Sequence, residues 1–162
     1  MSEIVLAPID IVAMWVNGIR FSIRGPIDGE CTQDVSLNLG LAEVDPDDSG
    51  REAYQLDLSV KCEMTPAESG EKAAEAEVVV SCVVAPEGVD EGTRLSNEEK
   101  RVLLTNGVSF TYSEARSRIA SLFEGSLART RVDIRPVFPK TVLDVFFPDE
   151  SSDEGVVSSE PE

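Results

Sequence analysis

The sequence predicts an α+β protein in which strands come first and helices come last. Three observations support this class. Apolar and polar residues alternate in four segments before residue 85, short polar stretches connect the last three segments, and apolar residues with helical spacing follow between 112 and 123. Alternation at every second residue is typical of strands with one buried face, and spacings of three and four are typical of an amphipathic helix. A run of strands followed by a run of helices favours the α+β class.

The first strand segment contains an interruption. Apolar residues alternate from Ile9 to Trp15 and again from Ile19 to Ile23, with Asn17-Gly18 between them and Gly25-Pro26 at the end. Asn-Gly is typical of a turn or a bulge, so both a tight hairpin and one long interrupted strand fit the pattern. We favour the interrupted strand because each arm alone is short.

Three further segments alternate in the same way: Val35–Leu41, Tyr54–Met64 and Ala76–Val84. Polar stretches at 45–50 and 65–72 connect them, which indicates an antiparallel meander. One face of Tyr54–Met64 is wholly polar, so we expect that face to meet water. In Ala76–Val84, Val79 and Val83 make the second face apolar as well, so we expect part of that face to be covered.

Helical signals begin after the strands. The crossing from Ala85 to Gly107 is mostly polar, and it predicts a short helix that Ser96 caps, with Glu99 three residues on, and that Asn106-Gly107 ends. The main helix is predicted to begin with a capping box at Thr111 and Glu114 and to end at Gly125. Its apolar stripe consists of Tyr112, Ala115, Ile119, Leu122 and Phe123.

Two shorter features follow the main helix. Val132–Val137 alternates and contains Pro136, so it predicts an extended segment. Val142–Phe147 is apolar and predicts one or two helical turns that end at Pro148. Residues 149–162 contain six acidic residues and no basic residue, which is typical of a disordered tail. We therefore expect one domain over residues 1–148 and an acidic tail over residues 149–162.

The charge of the chain limits its partners. The formal net charge is -17, from 31 acidic and 14 basic residues. Such a field repels phosphates and anionic lipid, so we expect neither nucleic-acid binding nor docking on a membrane. It suits a soluble protein or one with a basic partner. The amino-terminal residues lack the basic region of a signal peptide, and no apolar run is long enough to span a bilayer, so we expect a cytoplasmic protein without membrane insertion.

The residue types argue against an enzyme. The sequence contains no histidine, which excludes Ser-His-Asp and Cys-His nucleophiles, and no glycine-rich loop matches a nucleotide fingerprint. Asp45 and the two aspartates before Gly50 resemble a calcium loop only weakly, because the glutamate at the twelfth position is missing. The three cysteines lie far apart and are expected to be small buried side chains in a reducing compartment. We expect no catalytic residue, no cofactor and no metal.

The order of these segments resembles the SecB export chaperone family. The stretch Ile19–Pro26 is similar to the Ile-Ser-Phe-Glu-Ala-Pro-like end of the family's first strand, and the leucine-rich Val35–Leu41 and the tyrosine-initiated Tyr54–Met64 follow in the same order. Phe110–Arg116 stands where the family has a Phe-Pro-Tyr-Ala-Arg-like motif, with two extra residues. The resemblance covers roughly residues 9 to 147.

The end of the chain resembles the family too. Val132–Val137 matches its Leu-x-Leu-x-Pro-Val-like segment, and Val142–Phe147 corresponds to a Phe-Asp-Ala-Leu-Phe-like ending. The resemblance implies a four-stranded antiparallel sheet with helices packed on one face. It also implies an ATP-independent chaperone, a holdase, that binds unfolded or nascent polypeptide clients. The client would be an exported chain, with docking to the export motor ATPase, or a specialised client such as an antitoxin.

Aromatic residues are the natural candidates for client binding in such a protein. Those in the last third of the chain suit either an ordinary core or a groove for apolar client segments. The client-binding residues that we expect are Trp15, Phe21, Phe110, Tyr112, Phe146 and Phe147.

The resemblance also implies a homodimer or a homotetramer. The sequence supplies its own argument for assembly, because we expect that so small a monomer cannot bury both the second face of the fourth strand and the stripe of the main helix. A different reading of the charge also stays open. In that reading the chain is an acidic adaptor or inhibitor that binds one basic folded protein.

Overall fold

Four strands and two helices make up the structure, a computed structural model that describes residues 9–25, 27, 29–45, 50–89, 92–126, 132 and 134–148. The strands precede the helices along the chain, which confirms the predicted α+β class. In chain order the elements are β1 (Ile9–Ile23), β2 (Cys31–Val44), β3 (Ala53–Pro66), β4 (Ala74–Pro86), α1 (Asn97–Glu124) and α2 (Pro139–Phe146).

The sheet has the strand order β1-β4-β3-β2, and every neighbouring pair is antiparallel. β2, β3 and β4 therefore form the predicted meander, and β1 pairs with the far side of β4. β1 is one strand with a register shift between Val16 and Gly18, so the interrupted strand is confirmed and the hairpin is not formed. An extra residue on one strand is the definition of a bulge, and the Asn17 side chain there donates to the Ser81 hydroxyl over 3.2 Å.

One face of the sheet carries the core. Side chains directly opposite on neighbouring strands share a face, so the register aligns the apolar residues of β3 with those of β4. The fully buried ones are Leu56, Leu58, Val60, Cys62, Met64, Ala76, Val78, Val80, Cys82 and Val84. α1 packs over this face, mainly on β4 and β3, and we call it the helix face of the sheet. Complete burial of one leucine or valine stabilises the fold by about 1.5–3 kcal/mol.

The opposite, outer face of β3 is charged and wet, as predicted. Lys61 lies between two carboxylates there, 2.7 Å from Glu63 and 3.2 Å from Glu75. Lys72 contacts the same two carboxylates. Hydrogen bonds from Lys61 and Lys72 hold the pKa of the Glu63 carboxyl at about 2. These acids are therefore committed to neighbouring lysines.

Part of the outer face of β4 is covered, as predicted: Ser81 is fully buried and Val83 is 7% exposed. The stripe of the main helix is also largely buried within the same chain, including Tyr112, Ile119 and Phe123. The argument that a monomer could not bury both surfaces is therefore wrong. β4 is a central strand, so its neighbours β1 and β3 shield its outer face.

α1 is one continuous helix of 28 residues, whereas the sequence predicted two. Its beginning is as expected, because Ser96 and Glu99 form a reciprocal capping box. Its end is also as expected, since the Gly125 N–H donates to the Ser121 carbonyl over 3.2 Å. The stop predicted at Asn106-Gly107 and the capping box predicted at Thr111 are wrong.

Packing against the sheet explains the glycine inside α1. A Cβ atom on Gly107 would lie 2.6 Å from Leu56 Cδ1 and 3.3 Å from Val84 Cγ1, so the helix approaches the sheet closely only because this position lacks a side chain. Thr111 lies one turn later and is fully buried. Its hydroxyl donates to the carbonyls of Gly107 and Val108 over 3.0 and 3.1 Å, which satisfies it inside the helix.

The remaining predictions have mixed outcomes. α2 has a proline in its first turn and ends before Pro148, as predicted. Cys62 and Cys82 are fully buried, and burial raises the pKa of each thiol to about 11, as expected for small core side chains. Residues 149–162 lie outside the described residues, so the acidic tail stays a prediction. Among the described residues, no helix is both long enough and apolar enough to cross a bilayer.

Candidate binding groove

A groove lies over the helix face of β2, between this strand and the extended segment 134–138 with α2. Two adjacent cavities of about 520 Å³ and 450 Å³ form it, and they share Val35, Leu37 and Val137 in their walls. β2 contributes its residues from Cys31 to Leu37. Because a strand rises about 3.3 Å per residue, this wall is about 20 Å long.

The position of β2 in the sheet keeps the groove open. β2 is an edge strand with β3 as its one partner in the sheet, and α1 packs on β4 and β3 instead. The apolar side chains of β2 therefore receive less cover than those of the central strands. Val35 is 40% exposed, whereas its partner Cys62 on β3 is fully buried.

The opposite wall is tied to α1. The Tyr112 hydroxyl donates to the Arg135 carbonyl oxygen over 2.6 Å. Ile134 is 3% exposed and belongs to the core, so two neighbouring positions fix the extended segment. Tyr112 itself is buried, and this burial raises the pKa of its hydroxyl. The Tyr112 side chain thus lines the groove, and its hydroxyl fixes the position of the extended segment 134–138.

α2 completes that wall and is anchored in the same way. Val142 and Leu143 are buried, and Arg101 of α1 forms an ion pair with Asp144. By contrast, Phe138 is 81% exposed and Val145 is 70% exposed, and both line the groove. The groove therefore has a fixed frame and an exposed apolar lining.

The structure brings two of the six sequence-predicted client-binding residues into this groove, namely Tyr112 and Phe146. Phe147 follows Phe146 and is half-buried against the core. The assignment of all six to client binding stays a prediction.

The other three residues lie elsewhere. Phe21 packs edge-on against Phe123, with ring centroids 5.3 Å apart and an interplanar angle of 85°, as core aromatics do. Phe110 is 43% exposed on α1. Trp15 is 40% exposed, and its register partner Ser81 places it on the outer face of the sheet. These three side chains do not converge on a common site.

Several groove residues were missed in the sequence. Phe138 is one of the last-third aromatics that suit either a core or a groove, but it is not among the six expected client-binding residues. Val35 and Leu37 read as ordinary core positions, and Val137 is assigned only to an extended segment. No local signal distinguishes them, because their exposure follows from the edge position of β2.

The groove carries little charge. Among the described residues that line its two cavities, Arg135 is the one charged residue, and its side chain is exposed. The nearest acid along α2, Asp144, is paired with Lys140 at 3.0 Å and with Arg101. In a chain with a formal net charge of -17, this local excess of positive charge is unusual.

A second polar cluster joins β3 to the start of α1. Glu52 is 7% exposed, and its carboxylate accepts hydrogen bonds from the Tyr54 hydroxyl and, over 2.8 Å, from the Leu95 N–H. Lys100 Nζ lies 2.7 Å from the same carboxylate. Burial by itself would raise the pKa of Glu52, but the hydrogen bonds outweigh it and hold the pKa at about 2. Since these groups satisfy one another, we interpret the cluster as a support for the start of α1 and not as a ligand-binding site.

Comparison with known proteins supports the fold. The chain is similar to the solved structure of the Rv1957 SecB-like chaperone of Mycobacterium tuberculosis in complex with a ChAD peptide from the Rv1956 HigA1 antitoxin. The two share 15% sequence identity with a TM-score of 0.59, over 81% of this chain and 94% of that one. A protein of unknown function from Streptococcus agalactiae is 12% identical with a TM-score of 0.45, over 79% and 97% of the two chains. No family model and no curated protein matches the sequence.

Proposed function

We propose that this protein is an ATP-independent holdase of the SecB-like type, which binds unfolded or nascent polypeptide clients and keeps them soluble. Clients bind in extended form in the groove over β2. The observation that carries the proposal is the groove itself, an open channel about 20 Å long with exposed apolar side chains on a fixed frame. The fold that the chain shares with a SecB-like chaperone supports the same conclusion.

The chemistry of the groove suits unfolded chains. At about 3.3 Å per residue, a channel of this length holds about six residues of extended polypeptide. Phe138 and Val145 offer apolar surface without a closed pocket, so the groove accepts many side-chain shapes. β2 is also an edge strand, whose unpaired backbone groups can bond to an extended client. A holdase needs this combination of apolar affinity and low selectivity.

The test is suppression of aggregation. The purified chain is mixed with a chemically unfolded client at stoichiometric amounts, and light scattering follows aggregation after dilution of the denaturant. We expect the chain to suppress aggregation, and Val145→Asp to weaken the effect by about three- to tenfold in the concentration needed, because it places a charge in the apolar lining.

Val102→Asp is the matched control, since Val102 is 48% exposed on α1 and lies near Ile9 of β1, away from the groove. It should suppress aggregation as the native chain does. No suppression by the native chain at any ratio would reject the proposal, and equal loss in both variants would reject the groove as the binding site.

We also propose that the chain assembles into a homodimer or a homotetramer through β1. Ile11, Met14 and Ile19 of β1 are 36%, 42% and 53% exposed, although their register partners on β4 are fully buried. These three side chains, called here the β1 patch, lie on the helix face of an edge strand. A second copy that pairs with this edge would cover them and saturate the backbone groups of β1.

Two kinds of client fit the proposal. One is the precursor of an exported protein, which would add docking to an export motor ATPase. The other is a dedicated client such as an antitoxin, by analogy with the peptide that the similar chaperone binds. The identity of the neighbouring genes separates the two, because a toxin–antitoxin pair next to this gene favours the second.

The compartment and the absence of catalysis belong to the same proposal. Three free cysteines, two of them in the core, suit the reducing cytoplasm. A chain with no histidine lacks the commonest general acid and base. We therefore propose a non-catalytic cytoplasmic protein.

The acidic adaptor remains a second candidate, and the net charge of -17 is the observation that favours it. Such a protein would bind one basic folded partner with an affinity that falls steeply with salt. Recovery of a single folded partner at low salt, together with no effect on client aggregation, would support the adaptor over the holdase.

A further inference from the structure

We infer that the groove selects client segments that carry a carboxylate, which pairs with Arg135, next to a large apolar side chain, which packs against Phe146. This inference rests on the proposed function and names the client sequence that the groove prefers. It is based on the positions of the charged and the aromatic side chain in the groove, which lie in different cavities. Arg135 lines one cavity and Phe146 lines the other, with Val35, Leu37 and Val137 common to both.

The Arg135 side chain is available for a partner. Its guanidinium makes no ion pair with any described residue, and it is exposed at the wall of the groove. Its backbone is fixed, because its carbonyl oxygen accepts the hydrogen bond from Tyr112. A guanidinium on a fixed backbone can bind a carboxylate through two parallel hydrogen bonds with less loss of conformational entropy than one on a mobile loop.

The described residues around Arg135 do not supply that carboxylate. The acid on α2, Asp144, is bound to Lys140 and Arg101. Glu63 and Glu75 lie on the outer face of the sheet with Lys61 and Lys72, whereas the groove lies over the helix face. Among the described lining residues none is acidic. The site is therefore a local positive position in an acidic protein.

The net negative charge of the chain opposes the binding of acidic client segments at long range. A preference for such segments therefore has to come from the groove itself. A field from 17 excess negative charges repels an acidic segment at a distance, but salt screens it beyond about 8 Å at physiological ionic strength. An Arg–carboxylate pair acts at hydrogen-bonding distance and survives this screening better. Selection for acid must then come from contact with Arg135 and not from the overall charge.

The spacing follows from the strand geometry. Side chains two or four residues apart lie on the same face of an extended chain, about 7 or 13 Å from each other. The β2 wall of the groove is about 20 Å long, which exceeds both of these distances. We therefore infer that a carboxylate two or four residues from an aromatic or large aliphatic side chain suits simultaneous contact with Arg135 and Phe146.

The test compares three labelled apolar peptides of about eight residues by fluorescence anisotropy with the full chain. They carry Glu, Gln or Lys four residues from a phenylalanine, and each peptide is made once with the phenylalanine before this residue and once with it after. We expect the Glu peptide to bind about two- to fivefold more tightly than the Gln peptide, as for an ion pair with an exposed arginine, and the Lys peptide to bind most weakly.

The decisive variant is Arg135→Glu, for which we expect the order of the Glu and Lys peptides to reverse while the Gln peptide changes by less than about twofold. Arg24→Glu is the matched control: it changes the net charge equally, and Arg24 follows β1 at the opposite edge of the sheet. It should leave the order unchanged, because the long-range field alone does not set the preference.

Three results would overturn the inference. The first is equal affinity of the three peptides for the native chain, and the second is the same peptide order in Arg135→Glu. The third is no binding of any peptide, as would occur if residues 149–162 or a second copy of the chain filled the groove. If the native chain still suppresses client aggregation in any of these cases, the holdase proposal stands and only the client preference is wrong.

Discussion

Gly107 determines how closely α1 approaches the sheet. Residues with a side chain are better helix formers, by about 1 kcal/mol for alanine over glycine, so the glycine weakens the helix as an isolated element. The sheet reverses that preference, because Leu56 and Val84 occupy the space that a Cβ atom would need. The same residue that signals a helix end in the sequence is thus a packing contact in the fold.

Gly107→Ala should therefore destabilise the protein by up to about 2 kcal/mol, since overpacking costs about 1–3 kcal/mol and the gain in helix propensity is about 1 kcal/mol. Urea unfolding followed by circular dichroism measures the change. The control is Gly40→Ala, where the new methyl group would lie 3.7 Å from Asp57 Cβ at ordinary contact distance. Gly40→Ala should be as stable as the native protein or slightly more stable. If Gly107→Ala were more stable than the native protein, the contact of α1 with Leu56 and Val84 would not be limited by space.

At the scale of elements, the extended segment 134–138 is the part of the groove wall on which the proposed function depends most. It has no strand partner, and it is held by the core residue Ile134 and by the hydrogen bond from Tyr112 to the Arg135 carbonyl. α1 thus supports the sheet through its apolar stripe and the groove wall through the Tyr112 hydroxyl and the Arg101–Asp144 ion pair. The width of the groove depends on this link.

Tyr112→Phe should loosen the wall without removing the ring from the core. We expect a loss of about 1 kcal/mol in the free energy of unfolding and faster hydrogen exchange at 134–138, together with weaker peptide binding. Tyr54→Phe is the matched control, because it removes a hydroxyl that donates to Glu52 at the start of β3. It should lower stability without changing exchange at 134–138, and identical exchange in both variants would contradict the role of Tyr112.

The elements also show what local sequence patterns can and cannot predict. The strands were predictable, since Tyr54–Met64 alternates without a break and its apolar face is the one that α1 covers. The continuity of α1 was not, because Asn106-Gly107 has the same local pattern whether the helix ends there or packs there.

The groove was less predictable still. The openness of the groove depends on the strand order, which no segment encodes alone. Residues close in sequence also diverge in space: Phe110 and Tyr112 lie two positions apart on α1, and a helical turn of 3.6 residues directs them to different sides. A cluster of aromatics in the sequence is therefore a poor guide to a cluster in the fold.

At the scale of the whole molecule, the two sheet edges have different surroundings. β2 borders the groove, whereas β1 carries the β1 patch, whose three side chains are 36%, 42% and 53% exposed. Unpaired edges with apolar side chains invite pairing with another chain. The high net charge opposes random association, so pairing requires a matching surface such as a second copy supplies.

Replacing both Met14 and Ile19 with glutamine should lower the mass of the assembly in solution. The two changes remove apolar area that would be buried on pairing, at about 25 cal/mol per Å². Light scattering at micromolar concentration should give a multiple of the chain mass for the native protein and a smaller value for the double variant. Ser22→Gln, at an exposed position of β1 that pairs with Glu75, should leave the mass unchanged. A strictly monomeric native protein would contradict the assembly.

The strand order has a consequence for avidity. β1 and β2 are opposite edges of the sheet, so the proposed pairing of two copies through β1 would leave both grooves uncovered and would hold them at a fixed separation. A long client bound in one groove would then meet the next at an effective concentration set by the intervening chain, in the millimolar range for short flexible connections. Grooves that are weak one at a time would retain an unfolded chain strongly together and release it stepwise as it folds.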